Sequence, residues 1–107
     1  DQPPGTMTST VQKKYHCSGY DDCGTIIINY SFPSGKLASG KKYYGTSRQA
    51  FLPDNEDGRD VLRLLKLSFD RRLTFTIGTS VTTGQSDCVI WNGIHHKTNM
   101  HGGNYFF

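Results

Sequence analysis

Glycine, hydroxyl and histidine residues that could bind a polar ligand are concentrated near the C-terminal end of the chain. Residues 77–100 read IGTSVTTGQSDCVIWNGIHHKTNM and include the single tryptophan and two adjacent histidines. The segment from Gly78 to Gly84 offers hydroxyl and backbone N–H groups between two glycines, which can hold phosphate or ribose oxygens. These residue types are also common in ordinary hairpin loops, and the pattern alone favours that simpler interpretation. No Gly-Lys-Ser/Thr follows, so the segment is not a Walker loop.

The adjacent histidines, His95 and His96, do not have the spacing of a metal-binding pair. Side chains of neighbouring residues in an extended segment point to opposite faces, so the pair cannot easily chelate one metal ion. One histidine can therefore face a pocket while the other is structural, although two surface or hydrogen-bonded histidines explain the pair equally well. Trp91 could offer a flat ring to a ligand, but a core position is favoured for so large a side chain.

The composition indicates one small domain with a mild positive charge. The chain has 107 residues, 35% of them hydrophobic, and a net charge of +3. A solvated surface explains that charge better than a nucleic-acid face does, and a small anionic ligand also fits it. No apolar run is long enough to span a membrane. Three cysteines without a Cys-x-x-Cys motif predict reduced thiols, no zinc finger, and an intracellular location, cytoplasmic or nuclear.

Strands are predicted before the middle of the chain. Thr25 to Phe32 is β-branched and aromatic and is bounded by a glycine and by Pro-Ser-Gly, which predicts a strand. Thr6 to Tyr15 alternates weakly and is its expected partner. We interpret Asp1 to Gly5 as a linker or a cut edge, Ser34 to Gly45 as a loop, and Gln49 to Pro53 as a short extended piece.

One amphipathic helix is predicted after Pro53. Asp54 and Asn55 offer capping side chains, and Glu56 and Asp57 add negative charge to the first turn. Apolar residues then recur at helical spacing on one face, with Leu64 beside them, and two arginines complement the C-terminal end. The residues of the apolar face are Val61, Leu62, Leu65 and Phe69.

Two further strands are predicted after the helix. The segment Leu73 to Gly78 alternates with period two, which places Leu73, Phe75 and Ile77 on one face. Val89 to Trp91 makes the second strand, so the Gly78–Gly84 loop joins the two. The order β-β-α-β-β predicts an α+β fold, a curved and mainly antiparallel sheet packed on one principal helix.

Several long motifs resemble the Deltex C-terminal (DTC) domain. They are FLPDNxxGRxVLxLLK (residues 51–66), RRLxFTIGTSxTTG (71–84) and VIWNxIHHKT (89–98), with QPPGTM (2–7) and GYxDxGTI (19–26) resembling the opening of that domain. The likeness covers nearly the whole chain. Residues 1–107 are therefore expected to form a single domain of this type.

The resemblance implies an activity. In Deltex-family ubiquitin ligases this domain follows a RING domain, which recruits a ubiquitin-conjugating enzyme charged with ubiquitin. The DTC domain binds ADP-ribose, free or attached to a substrate, and also NAD, and the two domains transfer ubiquitin onto ADP-ribose. The family includes regulators of Notch signalling and of DNA-damage responses. The expected partners are ubiquitin, the charged conjugating enzyme and ADP-ribosylated protein or nucleic acid, with no membrane and no metal in this domain.

The resemblance also implies the site. A histidine titrates near neutral pH, which suits a general base acting on a ribose hydroxyl, and His95 occupies that position in the family pattern. Val81 stands where some members have a serine. The ligand-binding residues implied are Gly78, Thr79, Ser80, Val81, Thr82, Thr83, Trp91, His95 and His101.

The C-terminal end departs from the family pattern. The chain ends MHGGNYFF, and the family's Gly-Tyr-Pro-Asp-Pro-x-Tyr segment and the helix after it are not intact. We therefore expect the domain to be incomplete at this end, without the family's late catalytic glutamate. His101 is the residue nearest to the family's second pocket position, a histidine or tyrosine.

Two other classes of function suit the residues taken alone. The loop and the histidines could serve a surface that binds a protein partner. A basic domain with two histidines could also bind or cleave nucleic acid, since phosphodiester chemistry uses the same groups.

Overall fold

The computed structural model describes residues 2–79, 84, 86–93 and 96. Within them, seven strands and one helix follow one another along the chain. They are β1 (Thr6–Gln12), β2 (Thr25–Phe32), β3 (Gly35–Lys36), β4 (Lys42–Tyr43), β5 (Thr46–Pro53), α1 (Glu56–Asp70), β6 (Phe75–Gly78) and β7 (Cys88–Trp91).

The main sheet has three antiparallel strands in the order β1–β2–β5. Alternate residues of the central strand β2 are buried because a strand directs successive side chains to opposite faces. This inner face packs against α1 and the β6–β7 hairpin, and the α+β fold with one principal helix is confirmed. The inner-face residues of β2 are Ile26, Ile28, Tyr30 and Phe32.

The helix begins as the sequence predicts. Asn55 is the N-cap, and its side-chain oxygen accepts a hydrogen bond of 2.8 Å from the backbone N–H of Gly58, which satisfies one of the free donors of the first turn. Leu65 is buried, and Val61, Leu62 and Phe69 pack against the core cluster. Leu64 is 62% exposed and lies outside the apolar face.

The N-terminal segment is part of the domain, so its interpretation as a linker is wrong. Gln2 and Pro3 are both buried. The Gln2 amide nitrogen donates to the carbonyl of Phe69, and its amide oxygen accepts from the backbone N–H groups of Thr74 and Phe75. The Arg72 guanidinium donates twice to the Gln2 carbonyl, at 3.0 and 2.7 Å. Gln2 therefore joins the C-terminal end of α1 to the start of β6.

Three local expectations need correction. The predicted loop Ser34 to Gly45 contains the short antiparallel pair β3–β4. The extended piece predicted at Gln49 is the second half of β5, which begins at Thr46. Leu73, expected on the buried face of the strand, precedes β6 and is 52% exposed. Its neighbour Thr74 is buried instead, and the hydroxyl groups of Thr74 and Ser68 form a 2.9 Å hydrogen bond.

The helix in the described part of the chain is not long and apolar enough to cross a membrane.

Replacing Gln2 with alanine is expected to destabilise the domain strongly. The change leaves the buried N–H groups of Thr74 and Phe75 without their acceptor, which we expect to cost about 2–4 kcal/mol of unfolding free energy. It also removes one of the two donors to the Phe69 carbonyl, which keeps the N–H of Arg72. Gln12→Ala removes the same side chain from an exposed position in β1 and serves as the control. Chemical denaturation of both variants measures the difference, and equal stabilities would contradict the role given to Gln2.

Candidate functional site

The loop singled out in the sequence lies at one end of a β-hairpin. Strands β6 and β7 are antiparallel, with Gly78 paired with Cys88 and Phe75 paired with Trp91. The intervening residues 79–87 therefore leave the hairpin at the Gly78 end. The prediction that the glycine-hydroxyl segment joins two late strands is confirmed.

The expected ligand-binding residues fall partly within the described structure. Gly78 is the last residue of β6, Thr79 follows it and is exposed, and Trp91 is the last residue of β7 and is half-buried. The remaining expected residues lie outside the described part of the chain, and their roles stay predictions. They are Ser80, Val81, Thr82, Thr83, His95 and His101.

The two glycines that bound this segment differ in what the structure requires of them. Gly84 has a φ of 73°, in the left-handed region that residues other than glycine adopt only with strain. A Cβ atom at Gly78 would lie 2.8 Å from the Cδ1 atom of Ile90, the end of a side chain that can move aside. The backbone conformation therefore gives a structural reason for Gly84, whatever the loop binds.

The register sets a distance between the two halves of the expected site. Thr79 follows the Gly78 end of the hairpin, whereas residues 92–96 follow the Trp91 end. A ladder of four residues has three intervals of about 3.3 Å, so the two ends lie roughly 10 Å apart along the strand. An extended ligand with two phosphates and two sugars could span this length, and a single phosphate could not.

An aromatic cluster holds the Trp91 end of the hairpin. The Trp91 ring is stacked with Phe75 and with His96, each at a centroid distance of 4.5 Å, and meets Tyr30 edge to face at 5.6 Å. His96 is only 7% exposed. Trp91 thus has the packing role that the sequence favoured.

A buried hydrogen bond completes this cluster. The Tyr30 hydroxyl group and His96 Nε2 are 2.8 Å apart. Burial raises the pKa of Tyr30 well above its ordinary value, so the phenol remains protonated throughout the physiological range. His96 is therefore a structural residue, as expected for one member of the histidine pair. Tyr30 is a residue that the sequence reasoning missed, because it lies 66 positions away from its partner.

The loop end of the hairpin is held by a different segment. Tyr44, just after β4, donates its backbone N–H to the carbonyl of Asp87 at 2.8 Å and accepts from the N–H of Val89 at 3.0 Å. The Cys88 thiol lies 3.6 Å from the carbonyl oxygen of Gly78. No group of three or more metal-binding side chains forms among the residues with described positions.

Removing the Tyr30 hydroxyl group is expected to destabilise the domain by about 1–3 kcal/mol. Tyr30→Phe keeps the ring in the cluster but leaves His96 Nε2 without this partner. Tyr15→Phe makes the same change at a tyrosine that is 54% exposed and should be neutral. His96→Ala should also lose stability. Thermal unfolding of the three variants provides the comparison, and a neutral Tyr30→Phe would contradict the anchoring role.

The stability that Tyr30→Phe loses relative to wild type should also depend on pH. The pKa of Tyr30 in the folded state lies above the unfolded value of about 10. The stability that the neutral phenol contributes is therefore fully present below about pH 10 and is lost as the pH rises further. The difference between wild type and Tyr30→Phe should shrink above about pH 10, and a difference that widens there would be incompatible with a buried neutral phenol.

Comparison with known proteins identifies the family. The model of the Deltex C-terminal domain matches residues 1–107. The human "Probable E3 ubiquitin-protein ligase DTX3" is 50% identical over 93 residues, which cover 82% of this chain and 27% of that protein. The Xenopus laevis "E3 ubiquitin-protein ligase DTX1" is 50% identical over 104 residues, covering 91% of this chain and 16% of that protein.

The Mus musculus "E3 ubiquitin-protein ligase DTX4" shows a similar relation. It is 49% identical over 109 residues, covering 91% of this chain and 17% of that protein. The chain thus spans between 16% and 27% of the length of these curated relatives. Because the family model matches throughout and the relatives share about half of the aligned residues, the chain belongs to the Deltex C-terminal domain family.

Proposed function

We propose that this domain binds ADP-ribose or NAD and presents it for ubiquitin transfer within a RING-type ubiquitin ligase. The relatives are named ubiquitin-protein ligases, and the domain is one part of such proteins. Three cysteines cannot supply the two zinc sites of a RING domain. In Deltex-family ligases a RING domain precedes this one. In this proposal that RING domain recruits the charged conjugating enzyme, and this domain contributes the nucleotide.

The observation that supports the proposal most directly is the distance between the two ends of the β6–β7 hairpin. Gly78 and Thr79 lie at one end, and His96, held by Tyr30, follows the other end, roughly 10 Å away along the strand. ADP-ribose has a diphosphate between two riboses and an adenine, so it can reach from one end to the other. A hydroxyl-rich loop suits the diphosphate and ribose oxygens, and a net charge of +3 suits an anionic ligand.

In this proposal, His95 is the catalytic general base. Its neighbour His96 is held in the core by Tyr30, and adjacent residues in an extended segment face opposite ways. The imidazole of His95 would then face the ligand. In its neutral form it accepts the proton of a ribose hydroxyl while that oxygen attacks the thioester carbonyl of ubiquitin, and the thiol of the conjugating enzyme leaves.

The family resemblance suggests the physiological setting of the proposed activity. ADP-ribosylated proteins or nucleic acids would be the substrates, and Notch signalling or DNA-damage responses in the cytoplasm or nucleus would be the processes.

Two alternative functions are a surface that binds only a protein partner and a surface that binds only nucleic acid. The alternatives differ in one measurable respect, because neither requires affinity for free ADP-ribose.

The domain should bind ADP-ribose in preference to a short single-stranded oligonucleotide. Isothermal titration calorimetry with the 107-residue chain measures both affinities. Thr79→Val, which removes one exposed hydroxyl group and keeps the shape of the side chain, should weaken ADP-ribose binding by about 1 kcal/mol, or roughly fivefold. The control is Thr8→Val, at an exposed position in β1. Binding of neither ligand would favour a protein-interaction module, and preference for the oligonucleotide would favour a nucleic-acid domain.

His95→Ala should selectively abolish transfer to ADP-ribose. In a protein that carries a RING domain together with this domain, the variant should lose about 10²–10⁴-fold in rate, since a general base typically contributes that much. Lysine ubiquitination should continue, because it depends on the RING domain and the conjugating enzyme. His16→Ala changes an exposed histidine and should leave both reactions unchanged. Near-normal ADP-ribose transfer by His95→Ala would show that another residue is the base.

A further inference from the structure

We propose that the β3–β4 hairpin carries a docking site for an acidic peptide segment of a protein partner. A cleft of about 330 Å³ opens on this hairpin. Its occupant would insert an apolar side chain and place carboxylates on both sides of it. The cleft adjoins the loop end of the β6–β7 hairpin through Tyr44, but the proposal does not depend on nucleotide binding. The lining residues are Ser34, Gly35, Lys36, Lys42, Tyr43 and Tyr44.

The charge of the cleft is uncompensated. Lys36 and Lys42 are direct cross-strand partners, an arrangement in which two like charges repel and destabilise the pair. The segment from Ser34 to Gly45 has three lysines and no acidic residue. The third lysine, Lys41, forms a salt bridge of 3.1 Å with Asp87. Within the described residues, neither lysine of the cross-strand pair has an acidic side chain at salt-bridge distance, so carboxylates from outside would relieve the repulsion.

The floor and wall of the cleft are aromatic. Tyr43 is buried, with 7% of its surface exposed, whereas Tyr44 is 57% exposed. Gly35 brings the backbone close to the first ring, because a Cβ atom there would lie 2.7 Å from the hydroxyl oxygen of Tyr43. The exposed ring of Tyr44 offers contact area for an apolar side chain, and tyrosine is one of the residues that contribute most to binding at protein interfaces. The two lysine ammonium groups add a charge that is complementary to acidic residues of a partner.

The cleft is held in shape by backbone hydrogen bonds. Tyr44 is fixed to the β7 region through Asp87 and Val89, at 2.8 and 3.0 Å. The N–H of Gly45 donates to the Ser34 hydroxyl oxygen at 2.9 Å, and the N–H of Leu37 donates to the carbonyl of Lys41 at 2.8 Å across the turn. A surface that is ordered before binding loses less entropy when the partner docks.

The size and chemistry favour a peptide segment over a nucleotide cofactor. A volume of about 330 Å³ is at the lower end for small-molecule sites, and it accommodates one or two side chains. The side-by-side ammonium groups of Lys36 and Lys42, next to the exposed Tyr44, complement an apolar residue that has acidic neighbours. Lys36 and Lys42 would pair with those carboxylates, and Tyr44 would cover the apolar side chain.

The test uses a fluorescein-labelled peptide, Glu-Asp-Glu-Leu-Phe-Asp-Glu-Asp, titrated with the 107-residue chain while anisotropy is recorded. We expect saturable binding that weakens with salt and that Lys42→Glu and Tyr44→Ala each weaken about fivefold or more. Lys66→Glu and Tyr15→Ala make the same changes at exposed positions elsewhere and should bind like wild type. Lys36→Glu replaces the like-charge pair with an opposite pair, so it should weaken binding without lowering the melting temperature.

Four results would overturn the proposal. The first is the absence of saturable binding at protein concentrations up to about 1 mM. The second is equal affinity of wild type, Lys42→Glu and Tyr44→Ala while all three remain folded. The third is tighter binding of a single-stranded oligonucleotide of equal charge than of the peptide, which would identify a phosphate-binding surface. The fourth is equal binding of a control peptide with Gln and Asn in place of the acidic residues.

Discussion

The hydrogen bond between the Tyr30 hydroxyl group and His96 Nε2 is the contact on which the candidate site depends. It joins the middle of β2 to the segment that follows β7, across 66 positions of sequence. The β6–β7 ladder has only four residue pairs, and a two-stranded hairpin of this size is marginally stable by itself. The rings of Phe75, Trp91 and His96 gather around Tyr30 and give the hairpin a fixed position on the main sheet.

The hairpin is held at both ends, and each end lies next to one half of the proposed nucleotide site. Tyr44 bonds to Asp87 and Val89 at the loop end, while Tyr30 bonds to His96 at the other. Gln2 adds a third constraint, because it ties the start of β6 to the end of α1. A ligand spanning the hairpin would therefore meet groups whose spacing is set before it binds, and preorganisation of this kind raises affinity by lowering the entropy cost.

The sequence predicts the elements that local patterns determine and misses the contacts made over long distances. The β-branched run of β2 and the apolar stripe and Asn55 cap of α1 are visible in short windows, and the structure agrees with both. The burial of Gln2 and the pairing of Tyr30 with His96 depend on partners more than sixty positions away, which no periodicity encodes. The β3–β4 pair was missed because two-residue strands rich in glycine and lysine have no strand signature.

The sequence motifs define most of the candidate site, and the described geometry defines only part of it. Its described residues, Gly78, Thr79 and Trp91, lie in the hairpin expected for them, and the family is shown by sequence. The roles of the remaining residues rest on the resemblance. The basic cleft at Lys36 and Lys42 has no motif at all. It becomes visible only when the register places the two lysines opposite each other.

In the proposed complex, ADP-ribose lies along the β6–β7 hairpin, with His96 held behind it. Titration of the isotopically labelled chain with ADP-ribose, followed by amide and indole chemical shifts, tests this directly. We expect saturating shifts at Thr79, at the Trp91 indole and at the residues around His95, with little change in Ser34 to Gly45. Shifts confined to Ser34 to Gly45, or no shifts at saturating ligand, would contradict it.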